Sequence, residues 1–182
     1  MFDFLKRFLR LEPEKSSPQP PALQHFTRAQ VIEILSAPDK GTWLRGVDLS
    51  GEDLSGLHLA AVDLDKARLV GAHLRGSDLQ NAYLARADLS EADLNDAQLN
   101  GANLTVANLS GAVLIGADLS NANLSSANLS GADLTDAVLD GCYLGHTKLS
   151  GMILPDGTTY TPDTDLSKYG ARTPASNKLR GL

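Results

Sequence analysis

The sequence of 182 residues predicts an all-β solenoid, a fold in which the chain winds in stacked coils around one core. Two observations support this prediction. A leucine occupies every fifth position from Leu44 to Leu154, 23 times in succession, and the residue two places before it is alanine in 14 of the 23 units. None of the eight prolines lies between these two leucines, so nothing interrupts the pattern.

A period of five fits neither regular secondary structure. Five helical steps of about 100° rotate each leucine by ~140° around the axis, which would scatter the leucines over all sides of a helix. Five is also an odd number, so consecutive leucines in one long strand would point to opposite faces. The chain must therefore turn a corner once per repeat. Leucine and the residue two places before it face inward, and the Ser, Thr, Asn, Asp and Gly that follow each leucine suit the turn.

The number of repeats in one coil follows from charge, because coils stacked ~4.8 Å apart place equivalent residues almost in contact. Eight aspartates directly precede a leucine of the five-residue pattern. In a 15-residue coil four pairs of them would stack, in a 25-residue coil three pairs would, and in a 20-residue coil none does. The pattern favours four repeats per coil. The eight are Asp48, Asp53, Asp63, Asp78, Asp88, Asp93, Asp118 and Asp133.

Units such as ADLSN, ANLSS and ADLTD resemble those of the pentapeptide-repeat family, with the form A(D/N)LXX. The resemblance implies a right-handed quadrilateral β-helix. The family is abundant in cyanobacteria, and most members are binding or scaffold proteins without a known partner. A minority resemble DNA and protect topoisomerases from quinolones. Those often have phenylalanine at the central position and loops that interrupt the coil, whereas this chain has leucine throughout and no interruption.

Five segments organise the chain. Residues 1–11 are predicted to form an amphipathic N-terminal helix, 12–21 a proline-rich linker and 22–41 a short capping helix. The β-helix is expected over 42–155, and 156–182 form a C-terminal cap and tail.

The capping helix is predicted from about residue 28 to 36. Thr27 and Gln30 have the spacing of a capping box, and Pro38 limits the helix at its other end. An open coil end would expose unpaired backbone groups and leucine side chains, so this helix is expected to cover the N-terminal end of the coil.

The first segment has an apolar face opposite a cationic one. A membrane surface, a groove on a partner protein and the coil itself are alternative contacts for it, and weak peripheral membrane contact is the form that a single short helix would give. The expected location is the cytoplasm, with peripheral membrane contact as the alternative. The candidate anchor residues are Phe2, Phe4, Leu5, Phe8 and Leu9.

Composition argues against several classes of function. With 22 acidic and 16 basic residues the net charge is -6, which opposes direct binding of nucleic acid. The single cysteine, Cys142, permits no internal disulfide, and no histidine pair has the spacing of metal ligands. The glycines recur at corners rather than in a phosphate-binding loop. We therefore expect no cofactor, no metal site and no enzymatic activity.

Grouping every fourth repeat assigns the outward residues to four sides. One side, which we name the aromatic side, carries all three aromatic residues of the repeats and has three bases against two acids. A second, the acidic side, has six acids and one base, a net charge of -5. The candidate partner-binding residues on the aromatic side are Trp43, Arg45, Tyr83, Arg86 and Tyr143. The candidates on the acidic side are Asp53, Asp93, Asp96, Asp133 and Asp136.

Two functions follow from these sides. The first is a scaffold that binds another protein, of unknown identity, on a rigid face. The alternative is an acidic DNA mimic that binds a DNA topoisomerase or another DNA-binding protein. Val113 and Ile115 interrupt the acidic side, and a rod of about six coils would be only ~28 Å long, so the sequence favours the scaffold.

Overall fold

The computed structural model describes residues 25–36 and 44–174. In these ranges helix α1 spans Arg28–Leu35, and a 3-10 helix spans Leu166–Tyr169. Between them the coils pair through single-residue bridges rather than through longer strands. The predicted N-terminal helix and linker, residues 1–21, lie outside the described residues, as do Trp43 and the tail from residue 175.

The bridges establish the size of a coil. Each parallel bridge within the repeats joins a residue directly before a leucine to the residue directly before the fourth leucine after it, as from Asp53 to His73 and from His73 to Asp93. Hydrogen bonds run both ways between coils. Leu49 N–H donates to the Arg68 carbonyl at 2.7 Å, and Arg68 N–H donates to the Val47 carbonyl at 2.8 Å. Four repeats therefore make one coil, as the charge pattern predicted.

The corners from Leu49 to Leu139 are type II β-turns. At each of them the leucine carbonyl accepts a hydrogen bond from the N–H three residues on, as from Ala72 to Leu69 at 3.1 Å. The second residue after leucine has a positive φ, between 55° and 72°, in every unit from Gly46 to Gly151. A type II turn requires a positive φ at this position, which explains why glycine is the commonest residue there. Val106 also has a positive φ, but it is a β-branched residue and is therefore strained at this position.

The Asp or Asn that precedes leucine in 12 units has a structural role. In each of these units its Oδ1 accepts a hydrogen bond from the backbone N–H of the first corner residue, at 2.8 to 3.3 Å. That N–H points along the corner and takes no part in the bonds between coils. The side chain thus accepts a hydrogen bond from a backbone N–H that would otherwise have no partner in the coil.

The core is a column of leucine and alanine. All 23 leucines of the pattern are buried, and the most exposed, Leu149, has 9% of its surface accessible. Cys142 takes an alanine position in this core, where burial raises the pKa of its thiol to about 12. The inward assignment of leucine is correct.

Helix α1 lies against the first coil. Val31 and Ile34 are buried, and Phe26 N–H donates to the Asp48 carbonyl at 2.9 Å. The Arg28 guanidinium donates to the carbonyls of Asp53 and Ser55, at 2.6 and 3.1 Å. These three carbonyls face the N-terminal end of the coil, so residues 26–28 satisfy backbone acceptors there.

At helix α1's start, Thr27 N–H donates to Gln30 Oε1 at 2.8 Å, which is one half of a capping box.

The chain after Pro155 folds back over the last coil. Leu166 and Ala171 are buried, and Arg172 forms a parallel bridge with Tyr143. Asp156 accepts hydrogen bonds from Thr158, from the Tyr169 hydroxyl at 2.6 Å and from Lys168 at 3.0 Å. These bonds, that from Thr158 foremost, hold the pKa of Asp156 well below its usual range. The Asp156 carboxylate therefore ties the 3-10 helix to the end of the repeats.

Val106→Asn should stabilise the protein. Asparagine adopts the left-handed region at less cost than a β-branched residue, and strain of this kind is of order 1 kcal/mol or more per residue. We expect the free energy of unfolding to rise by about 1 kcal/mol, measured by urea unfolding. Ile115→Asn is the matched control, because Ile115 is also exposed but has no positive φ. An equal gain in both variants would mean that removing an exposed apolar side chain, not relief of strain, is responsible.

Substitutions of Asp133 test how much the corner hydrogen bond contributes to stability. Asp133→Asn keeps the Oδ1 acceptor for Thr135 N–H and should leave stability nearly unchanged. Asp133→Ala removes that acceptor and should lower the free energy of unfolding by about 1 kcal/mol. Thermal and urea unfolding of the two variants provide the comparison. Equal losses in both would assign the effect to charge rather than to the hydrogen bond.

Candidate binding surface

The aromatic side is built on one continuous ladder. Parallel bridges join Asp63 to Tyr83, Tyr83 to Asn103, Asn103 to Asn123 and Asn123 to Tyr143, and Arg172 adds a last rung. The structure therefore brings Tyr83 and Tyr143 onto one side, three coils apart, as the 20-residue period predicted. The third aromatic candidate, Trp43, lies outside the described residues.

The two tyrosines are presented differently. Tyr83 is 54% exposed, whereas Tyr143 is partly buried. The Tyr143 ring lies over Gly145, so closely that a Cβ on this glycine would sit 2.6 Å from the ring atoms. Ala85 occupies the equivalent position beside Tyr83 and does carry a Cβ. Tyr83 therefore cannot adopt the conformation of Tyr143, and its ring projects into solvent.

A buried carboxylate lies beside Tyr83. The Asp65 side chain is only 8% exposed and sits between two guanidinium groups, one from the coil before it and one from the coil after it. Arg45 Nη2 is 2.7 Å from Oδ2, and Arg86 Nη2 is 2.6 Å from Oδ1. Burial acts to raise the pKa of Asp65, but the hydrogen bond from Arg86 and the charge of Arg45 outweigh it, so the pKa stays below its usual value.

Arg45, Asp65 and Arg86 form an ion-pair cluster, so the two arginines have a structural role. Sequence reasoning placed Arg45 and Arg86 on this side as partner-binding residues, and the structure shows that both also neutralise Asp65. Arg45 Nη1 also lies 3.9 Å from Asp63 Oδ2. The two arginine side chains nevertheless remain 54% and 53% exposed, so part of each guanidinium group is open to solvent. The sequence did not indicate the cluster, because Asp65 looks like any other corner residue until the arginines of the two adjacent coils are stacked on it.

Val106 is a second residue that the sequence did not single out. It is 54% exposed and follows Thr105, whose carbonyl accepts the Arg86 N–H at 2.9 Å. Lys66, Arg86 and Val106 thus occupy the same corner position in three consecutive coils. The apolar side chain of Val106 extends the exposed surface beside Tyr83 toward the C-terminal coils.

The acidic side is discontinuous. Its central ladder runs Asp53, His73, Asp93, Val113, Asp133 and Ile153, so acids alternate with other residues. Oδ1 of each of the three aspartates accepts a corner N–H. Asp96 is paired with Arg75 at 3.2 Å, which leaves Asp136 as the candidate without such a bond among the contacts of the described residues.

Two further features were sought in the described residues, a metal-binding cluster and a membrane-spanning helix. No group of His, Cys, Asp and Glu within 25–36 and 44–174 has an arrangement that would hold a metal ion. None of the helices in the same ranges is long and apolar enough to span a bilayer.

Comparison with known proteins identifies the repeats. The family model for Pentapeptide repeats matches eight copies, over residues 43–81, 67–105 and 102–141, a span of more than half of the chain. Curated proteins give no significant match.

Three solved structures illustrate the likeness. A pentapeptide repeat protein from the cyanobacterium Cyanothece 51142 is 33% identical, covering 64% of this chain and 89% of that one, with a TM-score of 0.49. HetL, involved in heterocyst differentiation regulation in the cyanobacterium Nostoc sp. strain PCC 7120, is 37% identical, covering 64% and 65%, with a TM-score of 0.30. A trypsin-treated form of QnrB1, a plasmid-mediated fluoroquinolone resistance protein, is 16% identical, covering 74% and 85%, with a TM-score of 0.40.

The leucine pattern, the 20-residue coil and the family match agree with one another. The chain belongs to the pentapeptide repeat family, whose fold is the right-handed quadrilateral β-helix.

Proposed function

We propose that the chain is a non-enzymatic scaffold that binds another protein on its aromatic side. The observation that carries the proposal is the exposed Tyr83 ring, which stands on a regular ladder on the same side as two half-exposed arginine side chains. Tyrosine and arginine are among the residues that contribute most to protein interfaces, because they offer large and well-defined contacts.

Pre-organisation supports this proposal. Tyr83 N–H donates to the Val62 carbonyl at 3.0 Å, so the backbone under the ring is fixed before a partner arrives. The ion pairs with Asp65 hold the guanidinium groups of Arg45 and Arg86 in place before a partner binds. A partner therefore orders few groups on binding, which lowers the entropic cost of association. The solvent-exposed N–H groups of the two arginines suit a carboxylate on an acidic segment of the partner.

The alternative, an acidic DNA mimic that binds a topoisomerase or another DNA-binding protein, has weaker support. A mimic needs a continuous row of negative charge, and His73, Val113 and Ile153 occupy every second rung of the acidic ladder. The alternative predicts that binding depends on the acidic side and weakens steeply with salt.

The two ends of the coil have proposed roles of their own. Helix α1 and the chain after Pro155 would act as caps that prevent coils of different molecules from stacking end to end. Their backbone contacts with Asp53, Ser55 and Leu144 support this role.

Tyr83→Ala should reduce capture of the partner by about tenfold or more, because truncating an interface tyrosine commonly costs at least ~1.4 kcal/mol. The measurement is affinity capture from a lysate with the full chain as bait, quantified by mass spectrometry. Thermal unfolding of the variant should be unchanged, since the side chain is exposed.

The matched control is Asp93→Asn with Asp133→Asn. Both changes remove charge from the acidic side and keep the corner hydrogen bonds, so capture should persist under the scaffold proposal. Capture that survives Tyr83→Ala but is lost in this double variant would overturn the proposal in favour of the DNA mimic.

We further propose that residues 1–11 hold the scaffold weakly at a membrane surface, on the strength of their apolar and cationic faces. The full chain should then co-sediment with vesicles that contain anionic lipid, at low salt. Phe4→Glu with Leu5→Glu should abolish this binding, whereas Lys148→Glu, which makes the same change in charge at an exposed residue of the repeats, should not. Absence of the wild-type chain from the vesicle pellet at low salt would exclude the membrane and leave a partner groove or the coil as the contact.

A further inference from the structure

The basic residues of the repeats lie at one end of the rod. Between residues 44 and 147 the sequence has five lysines and arginines, and all five belong to the first three coils. Four of them also share one edge of the rod. Arg45, Lys66 and Arg86 are corner residues that follow leucines of the aromatic side, and Arg68 is on the ladder after this corner. We name these four residues the corner patch.

The carboxylates next to the corner patch are less exposed than its cations. The side chains of Asp48, Asp63 and Asp65 are 16%, 19% and 8% exposed, whereas the arginines that pair with them are 48% to 54% exposed. Asp48 Oδ1 and Asp63 Oδ1 each accept a corner N–H, which turns these carboxylates toward the backbone. A molecule that touches this edge therefore meets the cations first.

The remaining charged groups of this edge follow the same rule. Oδ1 of Asp88 accepts hydrogen bonds from the backbone N–H and the hydroxyl of Ser90 and from the Asn108 amide. Lys66 is exposed, and none of the ion pairs between described residues involves it. Four cations and four carboxylates cancel at a distance, but at contact range the more exposed groups are the cations.

We propose that the corner patch binds an acidic segment of the partner protein, while an apolar side chain of that segment packs on the Tyr83 ring. Carboxylates form charge-assisted hydrogen bonds with arginine and lysine. Tyr83 is on the ladder directly before the corner, three residues before Arg86, and its ring is exposed. The inference rests on the proposed function, because it names the chemistry of the partner that the aromatic side would bind.

The corner patch has the size of a short extended segment. Arg45, Lys66 and Arg86 lie in three consecutive coils, and two steps of ~4.8 Å spread them over about 10 Å along the rod. An extended chain rises ~3.3 Å per residue, so about three or four residues span this distance. Carboxylates on alternate residues would lie about 6.6 Å apart on one face of such a segment, which long lysine and arginine side chains can reach.

A nucleic acid suits this surface less well. A phosphate backbone carries one charge per ~3.4 Å of each strand and favours a continuous cationic groove. The arginines of the corner patch instead have carboxylates 2.6 to 3.9 Å away, and residues 87–147 contain eight acids and no lysine or arginine. A short acidic segment avoids that repulsion, because charges more than ~8 Å away are largely screened at physiological salt.

Two matched peptides test the inference. The probe is a fluorescein-labelled peptide of about ten residues in which glutamates flank a central phenylalanine, and the control peptide has glutamines in their place. By fluorescence anisotropy at low salt, the full chain should bind the glutamate peptide with a Kd of about 0.1 to 1 mM and the glutamine peptide at least ~10-fold more weakly. Equal binding of the two peptides, or no binding of the glutamate peptide at about 1 mM protein, would overturn the inference.

Substitutions in the corner patch locate the binding. Lys66→Gln with Arg68→Gln should weaken binding of the glutamate peptide by about fivefold or more, since one exposed ion pair contributes up to about fivefold in affinity. Arg75→Gln with Lys148→Gln removes the same charge from exposed residues elsewhere on the coil and should leave binding unchanged. Equal weakening in the two double variants would assign binding to total charge and overturn the inference.

A single-stranded oligonucleotide of mixed sequence is the third probe. It should bind no more tightly than the glutamate peptide. Tighter binding of the oligonucleotide that is lost in the Lys66→Gln, Arg68→Gln variant would overturn the inference in favour of a nucleic acid.

Two combinations of results separate this inference from the proposed function. Peptide binding that depends on Lys66 and Arg68, with protein capture unaffected by Tyr83→Ala, supports the corner patch and overturns the wider role of the aromatic side. Capture that requires Tyr83, with equal binding of the glutamate and glutamine peptides, overturns the corner patch and leaves the scaffold proposal standing.

Discussion

The hydrogen bond that closes nearly every corner is the constraint on which the structure depends. A leucine carbonyl bonded to the N–H three residues on reverses the chain by a fixed amount, and four such turns return it to its starting side one coil higher. Everything else is a consequence of this repeat. Leucine points inward because it begins the turn, the next two residues point outward, and equivalent residues of successive coils become neighbours. A side chain in this protein therefore has two sets of neighbours, those adjacent in sequence and those one coil away.

The second set of neighbours decides which charges are free. Many of the aspartates that give the chain its net negative charge hold a corner N–H, and Asp65 is enclosed by arginines from the coils on either side of it. Surface charge read from composition therefore overstates what a partner meets. The groups that the aromatic side exposes to a partner include the Tyr83 ring, the Val106 side chain and the solvent-facing parts of the Arg45 and Arg86 guanidinium groups.

The period of five predicted the coil, its size, the buried leucines and the turn-tolerant corner residues, because each of these follows from a pattern that repeats along the chain. Features that depend on a particular pair of coils were not predictable. The sequence indicates that Asp65 follows a leucine, but its burial depends on arginines in the coils before and after it and on the reach of their side chains. The corner hydrogen bonds are visible in the sequence as a preference for Asp and Asn before leucine, but the preference alone does not show that these side chains accept a backbone N–H. For Trp43 and residues 1–11 the predictions stay predictions.

The contrast between Gly145 and Ala85 has a consequence for how such a rod acquires a binding position. One methyl group determines whether a neighbouring tyrosine lies flat on the corner or stands away from it. The residue that would make a contact, a tyrosine before leucine, therefore differs from the residue that controls its exposure, the first residue after leucine. Exchange of Ala85 for glycine or of Gly145 for alanine would therefore withdraw or present a tyrosine ring without altering the core. In a fold whose interior is nearly uniform, the small outward residue beside a tyrosine thus decides whether that tyrosine is available for contact.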